Sequence, residues 1–275
     1  QLDDGAQTLR VTATDEAGNT TTTTQDVTID TTTSNTVDIT DESGDNTINA
    51  TEVATSDISG TVEAGSTIDS LTITDGTNTV TVDSSDITLN ADGSYSVDNV
   101  DLSSLNDGEL TTTITSTDTA GNTATSTDTI NKDTTVETTT ADLADSSDTG
   151  SSNTDNITSD NTPTITGSTE AGATVVITDE AGNEVGSTTA DENGNYSITT
   201  SQLDDGAQTL RVTATDEAGN TTTTTQDVTI DTTTSNTIDI TDEGGDNTIN
   251  ATEVATSDIS GTVEAGSTID SLTIT

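Results

Sequence analysis

The chain has 275 residues, with 51 carboxylates against two arginines and one lysine, and a formal charge of -48. That charge repels nucleic acid and anionic membrane surfaces. The absence of His and Cys removes the usual catalytic bases, the strongest nucleophile and the ligands of zinc, so no enzyme is expected.

Low hydrophobicity with high net charge is a composition shared with disordered chains, but the pattern along the sequence is that of β-structure. In residues 1–30, Leu9, Val11 and Ala13 alternate with Arg10, Thr12 and Thr14, which reads as the closing strands of a domain. Residues 31–135 repeat the alternation, for instance at Val80 and Val82 between Thr79 and Thr81. Residues 136–233 do so again at Tyr196 and Ile198, and at Val228 and Ile230. Residues 234–275 read as the opening of a further domain. Thr, β-branched, suits the wet face of each sheet. Ala-Gly-Asn, Asp-Gly and Asn-Gly mark the turns, and no stretch has helical periodicity. About seven short strands per domain, in two antiparallel sheets, are expected. The pieces 1–30 and 234–275 cannot close a sandwich alone and are expected to be poorly ordered unless a neighbouring molecule covers them.

The chain also repeats itself. Residues 1–74 recur as 202–275, differing only where Val37 becomes Ile238 and Ser43 becomes Gly244. A weaker repeat lies inside that period. Glu63-Ala64-Gly65 answers Glu170-Ala171-Gly172, Tyr95 answers Tyr196, and the turn Asp118–Asn122 answers Asp216–Asn220. The spacing makes each unit about a hundred residues, the size of one sandwich domain. No apolar run is long enough to span a membrane. The absence of Cys fits either a cytosolic chain or a secreted one that uses metal instead of disulfides.

The series PTITGSTEAGATVVITDEAGN (163–183) and ADENGNYSITTSQLDDGAQTLRVTATDEAGNTTT (190–223) resembles bacterial Ig-like domains from the repeat regions of giant type I-secreted adhesins, the RTX or biofilm-associated adhesins. The segment GDNTINATEVATSDISGTVEAGSTI (44–68) resembles a second subtype, and DSSDTGSSNTDNITSDNTPTITG (145–167) resembles their interdomain sequence. The resemblance implies tandem Ig-like Greek-key β-sandwich domains in a linear array, with calcium in the linkers. It implies an extender on the outer surface of a bacterium. The neighbouring Ig-like repeats of the same chain would be its partners, and a distal domain would bind the ligand in adhesion or biofilm formation. The alternative is that the repeats themselves bind a receptor, glycan or matrix component. Two tyrosines and two arginines offer such a surface few anchors.

The acids favour calcium on their own account: 37 are Asp and 14 are Glu. Short loops that fold carboxylates around a hard cation favour Asp, with Asn and carbonyl oxygens completing the shell. Candidate ligands in the first whole domain are Asp41, Asp45, Asn46, the Ile48 carbonyl and Glu52 in the leading segment, with Asp75 and Asp118 in turns. In the second they are Asp155, Asn156 and Asp160, with Asp179 and Asp216 in turns. Asp30, Asp133 and Asp231 close the preceding domains, and the repeat copies add Asp15, Asp242, Asp246 and Glu253. In each whole domain the leading segment and both turns are expected to share the pole at which the chain arrives, where the preceding domain's last aspartate meets them. An Asp in a turn can instead cap its own backbone, and that alternative stays open at each position. Asp204 and Asp205 read as a solvated turn. Mg²⁺ suits such loops less, since it demands small octahedral sites.

Overall fold

The computed structural model describes residues 2–40, 43–240, 245 and 247–275. It divides into two compact units, residues 1–136 with 215–221, and residues 137–214 with 222–275. Both are built from β-strands, as the alternation of Thr with Val, Ile and Leu requires.

The first unit begins with a ribbon of β1 (Gly5–Thr14) and β2 (Thr20–Ile29), in unbroken antiparallel register from Gly5 opposite Ile29 to Thr14 opposite Thr20. A sandwich follows, made of β3 (Asn35–Thr40), β4 (Thr47–Ile48), β5 (Ser56–Val62), β6 (Thr67–Thr74), β7 (Thr79–Thr81), β8 (Thr88–Leu89), β9 (Ser94–Val100), β10 (Gly108–Thr117) and β11 (Thr123–Lys132). One sheet has the order β4-β11-β10-β6-β7 and the other β3-β5-β9-β8. Ile39, Ile58, Leu71, Ile73, Leu110 and Ile114 are among the side chains that fill the space between them.

The second unit holds β12 (Asp142–Leu143), β13 (Ile157–Thr158), β14 (Thr164–Ser168), β15 (Thr174–Thr178), β16 (Glu184–Thr189), β17 (Asn195–Thr199), β18 (Gly206–Thr215) and β19 (Thr221–Ile230). Its sheets run β12-β14-β17 and β13-β19-β18-β15-β16. Leu143, Ile165, Val175, Ile177, Leu210 and Val212 meet between them. A ribbon of β20 (Asn236–Ile240) and β21 (Ile259–Val263) follows. Residues 267–275 form no strand, although 268–275 repeat the sequence of β6.

Two expectations need correction. The sandwiches have nine and eight strands rather than seven, and neither is wholly antiparallel. β4 runs parallel to the end of β11, with Asn131 opposite Thr47, and β13 runs parallel to the end of β19, with Ile157 opposite Thr229. One added strand in each arises because the leading segment crosses between sheets and lays two residues on the last strand, covering an open edge.

Each sandwich contains one tyrosine, and each tyrosine lies across from a glycine. Tyr95 is opposite Gly60 and Tyr196 is opposite Gly167. The Tyr95 hydroxyl donates to the Thr36 carbonyl at 2.9 Å, and the Tyr196 hydroxyl donates to that of Thr140. A methyl group added at Gly60 or Gly167 would overlap those carbonyls and the phenol oxygen. The glycine therefore makes room for the ring to lie flat across the sheet and reach the next strand. Burial pushes the Tyr95 phenol above its ordinary pKa, and the charge of Asp38 adds to the effect.

The three cations all sit in strands: Arg10 in β1, Lys132 at the end of β11, and Arg211 in β18. Among the described residues Lys132 makes the one ion pair, with Asp107 at 3.1 Å, and its ammonium donates to the Leu105 carbonyl at 2.6 Å.

Candidate metal centre

The turn from Asp118 to Asn122 links β10 to β11. Gly121 takes φ of 93°, which a side chain disfavours, so the chain can reverse within five residues. Asp118 Oδ1 accepts the backbone N–H of Ala120 and of Asn122, both at 2.8 Å. Its Oδ2 accepts the Asn122 side-chain amide at 2.8 Å. Burial pushes the Asp118 carboxyl up, but the hydrogen bonds from the Asn122 side chain and backbone, with those of Ala120 and Gly121, outweigh it and hold the pKa below its ordinary value. The carboxylate is thus ionised and fixed in direction.

The Asn122 amide also donates to the Asp30 carbonyl at 3.2 Å, tying the end of the β1–β2 ribbon to this turn. Glu63 arrives from a third direction. Val62 lies opposite Asn35, and Thr67 lies opposite Thr117, so the chain between β5 and β6 turns beside Asp118. The Glu63 N–H donates to the Ser34 carbonyl at 3.2 Å. Asp30, Glu63 and Asp118 each place a carboxylate oxygen within 4.8 Å of the other two. No Lys or Arg pairs with any of them among the described residues.

A second meeting lies within the residues of the first unit. Asp133 and Asp216 bring carboxylate oxygens within 4.8 Å, and the Asn220 amide donates to the Asp133 carbonyl at 2.9 Å. The Asn49 amide donates to the Ala218 carbonyl at 2.9 Å, and the Ala50 N–H donates to Asn220 Oδ1 at 2.9 Å. The Asp216 turn repeats the geometry of Asp118, with Asn220 giving N–H and amide bonds of 2.8 Å to its two carboxylate oxygens.

The structure divides the expected ligand sets differently from the sequence reading. Asp45, Asn46, Ile48 and Glu52 do not join Asp118. β3 carries the chain along the sandwich first, so they arrive at the opposite pole, where the Ile48 carbonyl accepts the N–H of Asp133 at 3.0 Å. Asp45 Oδ1 accepts the Thr47 N–H at 2.9 Å, the Asn46 carbonyl accepts that of Asn131, and Glu52 Oε2 accepts that of Asn49 at 3.0 Å. Asp75 is also at the far pole, because β6 runs from Thr67 beside Thr117 to Thr74 beside Thr111. It accepts the N–H of Asn106 at 2.7 Å, and this bond, with others from Asn78 and Thr77, lowers its pKa.

Asp179 caps its own turn, which joins neighbours β15 and β16, through the Asn183 N–H at 2.8 Å. Asp155, Asn156 and Asp160 flank β13, beside Asp231 at the end of β19, where the Asp231 N–H donates to the Thr158 carbonyl at 2.8 Å. Asp160 accepts the Ser147 hydroxyl and the Thr162 N–H. Asp15 caps a turn like that of Asp118, and Glu253 accepts the Asn250 N–H at 2.9 Å. Asp41, Asp242 and Asp246 lie outside the described residues. Glu63 is the residue that the sequence reading missed. A weak signal was present: Glu-Ala-Gly occurs six times, and only at 63–65, 170–172 and 264–266 is it not preceded by Asp.

Residues 135–232 match the sequence profile of the bacterial Ig-like domain. The chain is 30% identical to a tetra-tandem repeat in the extending region of a large adhesion protein, over 95% of this chain and 64% of that one, with a TM-score of 0.34. It is 30% identical to a Ca²⁺-stabilised adhesin with which an Antarctic bacterium binds ice, over 91% of this chain and 63% of that one, with a TM-score of 0.40. A 1.5-MDa bacterial ice-binding adhesin is 25% identical over 83% of this chain and 74% of that one, with a TM-score of 0.40. The chain thus spans less than two thirds of the first two. No curated protein matches it. The match to the bacterial Ig-like domain thus lies in residues 135–232, and the recurrence of residues 1–74 as 202–275 makes the chain a tandem repeat.

Proposed function

We propose that this chain is a calcium-stiffened spacer in a bacterial surface adhesin, holding a distal ligand-binding domain away from the cell. The observation that carries the reading is the meeting of Asp30, Glu63 and Asp118 where the β1–β2 ribbon joins the first sandwich. The donor set is hard oxygen throughout, which suits calcium and excludes a thiolate or imidazole metal. Three carboxylates this close repel one another, and a divalent cation among them would turn repulsion into a clamp. Asp133 and Asp216 bring two further carboxylates together within residues 1–136 with 215–221. The cation would supply charge neutralisation and cross-linking. The protein supplies ligands from both sides of a linker, fixed by the Asn122 and Asn220 amides.

Calorimetric titration of the 275-residue chain with calcium tests the reading. Binding heat is expected, with a higher melting temperature in calcium than in EDTA, because a ligand held only by the native state stabilises it. Small-angle scattering should show less interdomain flexibility in calcium than in chelator. No binding heat, together with identical melting and scattering in both buffers, overturns the proposal.

A further inference from the structure

One carboxylate of the second sandwich is buried with half of its acceptor capacity unmet. Asp148 is 6% exposed, and its Oδ1 is fully enclosed with no hydrogen-bond partner. Its Oδ2 accepts the Asn156 N–H at 3.2 Å. No Lys or Arg pairs with it among the described residues, where Lys132 with Asp107 makes the one ion pair. Among those residues no other ionisable side chain encloses an unpartnered oxygen. A charge taken out of water without a partner is costly, so a buried carboxylate is paired or coordinates a cation.

The leading segment builds a pocket of oxygen around this group. The Ser147 and Asp148 N–H groups both donate to the Ala144 carbonyl, at 2.7 and 3.0 Å, which makes a tight turn after β12. The turn is fastened to β13. The Thr158 hydroxyl donates to the Ser147 carbonyl, the Ser147 hydroxyl donates to Asp160, and the Ser159 N–H donates to the Thr149 hydroxyl at 2.8 Å. The loop 149–155 therefore leaves and returns beside β13, and the Asn156 N–H closes it onto Asp148. Residues 145–156 read Asp-Ser-Ser-Asp-Thr-Gly-Ser-Ser-Asn-Thr-Asp-Asn, with no apolar residue to hold the loop shut. The first sandwich solves the same task differently. Its leading segment sends Ile48 and Val53 into the core, and Glu52 caps the Asn49 N–H.

We infer that Asp148 Oδ1 holds a calcium ion inside the second sandwich, with carbonyl, hydroxyl and carboxylate oxygens of the loop 149–155 completing the shell. The donors are hard oxygens on an irregular loop, which suits calcium better than the small octahedral shell of Mg²⁺. All of them belong to one leading segment. The ion thus fastens that segment to the β13–β19 edge and takes the place of the apolar anchor used in the first sandwich. It joins no successive units, so it does not rest on the spacer reading.

Calorimetric titration and melting of the whole 275-residue chain test the inference, with Asp148→Asn and Asp204→Asn as variants. Asp148→Asn keeps the shape and an acceptor for the Asn156 N–H but removes the charge. It should weaken one calcium site by about tenfold or more, whereas Asp204→Asn, which removes an exposed charge, should titrate like the native chain. In EDTA the Asp148→Asn chain should melt no lower than the native one, because an unpaired buried charge is gone. In calcium it should melt lower by about 5 °C or more, because the native chain alone gains the bound ion. A melting gap that is the same in both buffers means a carboxylate that holds only water, and overturns the inference. A calcium titration unchanged by Asp148→Asn also overturns it and leaves the spacer reading standing. Loss of the site in Asp148→Asn, with native scattering identical in calcium and chelator, upholds it and overturns the spacer reading alone.

Discussion

The ribbon Gly5–Ile29 and the hairpin Gly206–Ile230 have the same sequence, yet one exposes its apolar face and the other buries it. Strand, turn and capping geometry are alike in both: the Asp-to-Asn bonds are 2.8 and 2.9 Å at Asp15 and both 2.8 Å at Asp216. Ladder pairing is therefore local to the hairpin, while burial is a property of what lies across from it. An isolated two-stranded hairpin is marginal in water. In the second sandwich the same ladder is joined by burial of Leu210 and Val212.

A charge placed at the same position in both settings has the largest expected effect. Val212→Asp buries an unpaired carboxylate and should cost the second sandwich more than about 4 kcal/mol. Val11→Asp should shift the denaturant midpoint of either sandwich by no more than the equivalent of about 0.5 kcal/mol. A similar loss in both variants would mean that the ribbon is covered in solution. Next in size is the tyrosine cradle. Gly167→Ala forces the Tyr196 ring off the strand and should cost about 2–3 kcal/mol. Gly5→Ala, at φ of 110° in open space, should cost about 1 kcal/mol through backbone strain alone.

A smaller effect distinguishes turns that meet a linker from turns that do not. Asp216→Ala should weaken calcium binding by about tenfold or more, and Asp204→Ala should leave the titration unchanged. Equal affinities in the two variants would remove the junction from the site. The smallest effect is one of pH. The carboxyl of Asp75 has its pKa lowered on folding, chiefly by the Asn106 N–H. Its contribution is therefore full above the ordinary carboxylate pKa of about 3.9 and is lost as pH falls through the lower folded value. The melting-temperature gap between the native chain and Asp75→Asn should be constant near neutrality and close only in strong acid. A gap that closes between pH 7 and 5 would contradict the lowered value.

Alternation alone was enough to read the strands, because Leu9, Val11 and Ala13 repeat every second residue whether or not anything covers them. The turns were equally legible, since Ala-Gly-Asn needs its glycine wherever it occurs. The poles were not. Asp45 and Asp118 look like partners in a list of acidic turns, but β3 lies between arrival and Asp45, and six residues of strand carry the chain along the sandwich. Asp75 was misplaced for a related reason: the turn after β6 follows a strand that leaves the Asp118 pole. Glu63 was overlooked because it is one of the rarer acids and its loop carries no Asp. Glu-Ala-Gly occurs six times in the sequence, three of them in the Asp-led turns, so only the placement of β5 and β6 sets Glu63 apart.

The positions of the three cations have a consequence for survival among secreted peptidases. An enzyme that cuts after Lys or Arg finds only Arg10 and Arg211, inside ten-residue strands of hydrogen-bonded ladders, and Lys132, the last residue of another. Such an enzyme must draw an extended segment into its cleft, so the strand has to leave the ladder first, and cutting follows the free energy of that opening. Arg10 should therefore be clipped well before Arg211, although the residues around them are identical. The ammonium of Lys132, held against Asp107 and the Leu105 carbonyl, should be the last to be reached. Enzymes that prefer large aromatic residues meet only Tyr95 and Tyr196, both under their sheets. For peptidases of these two specificities, the closed sandwiches keep nearly every usable bond within or beside a strand.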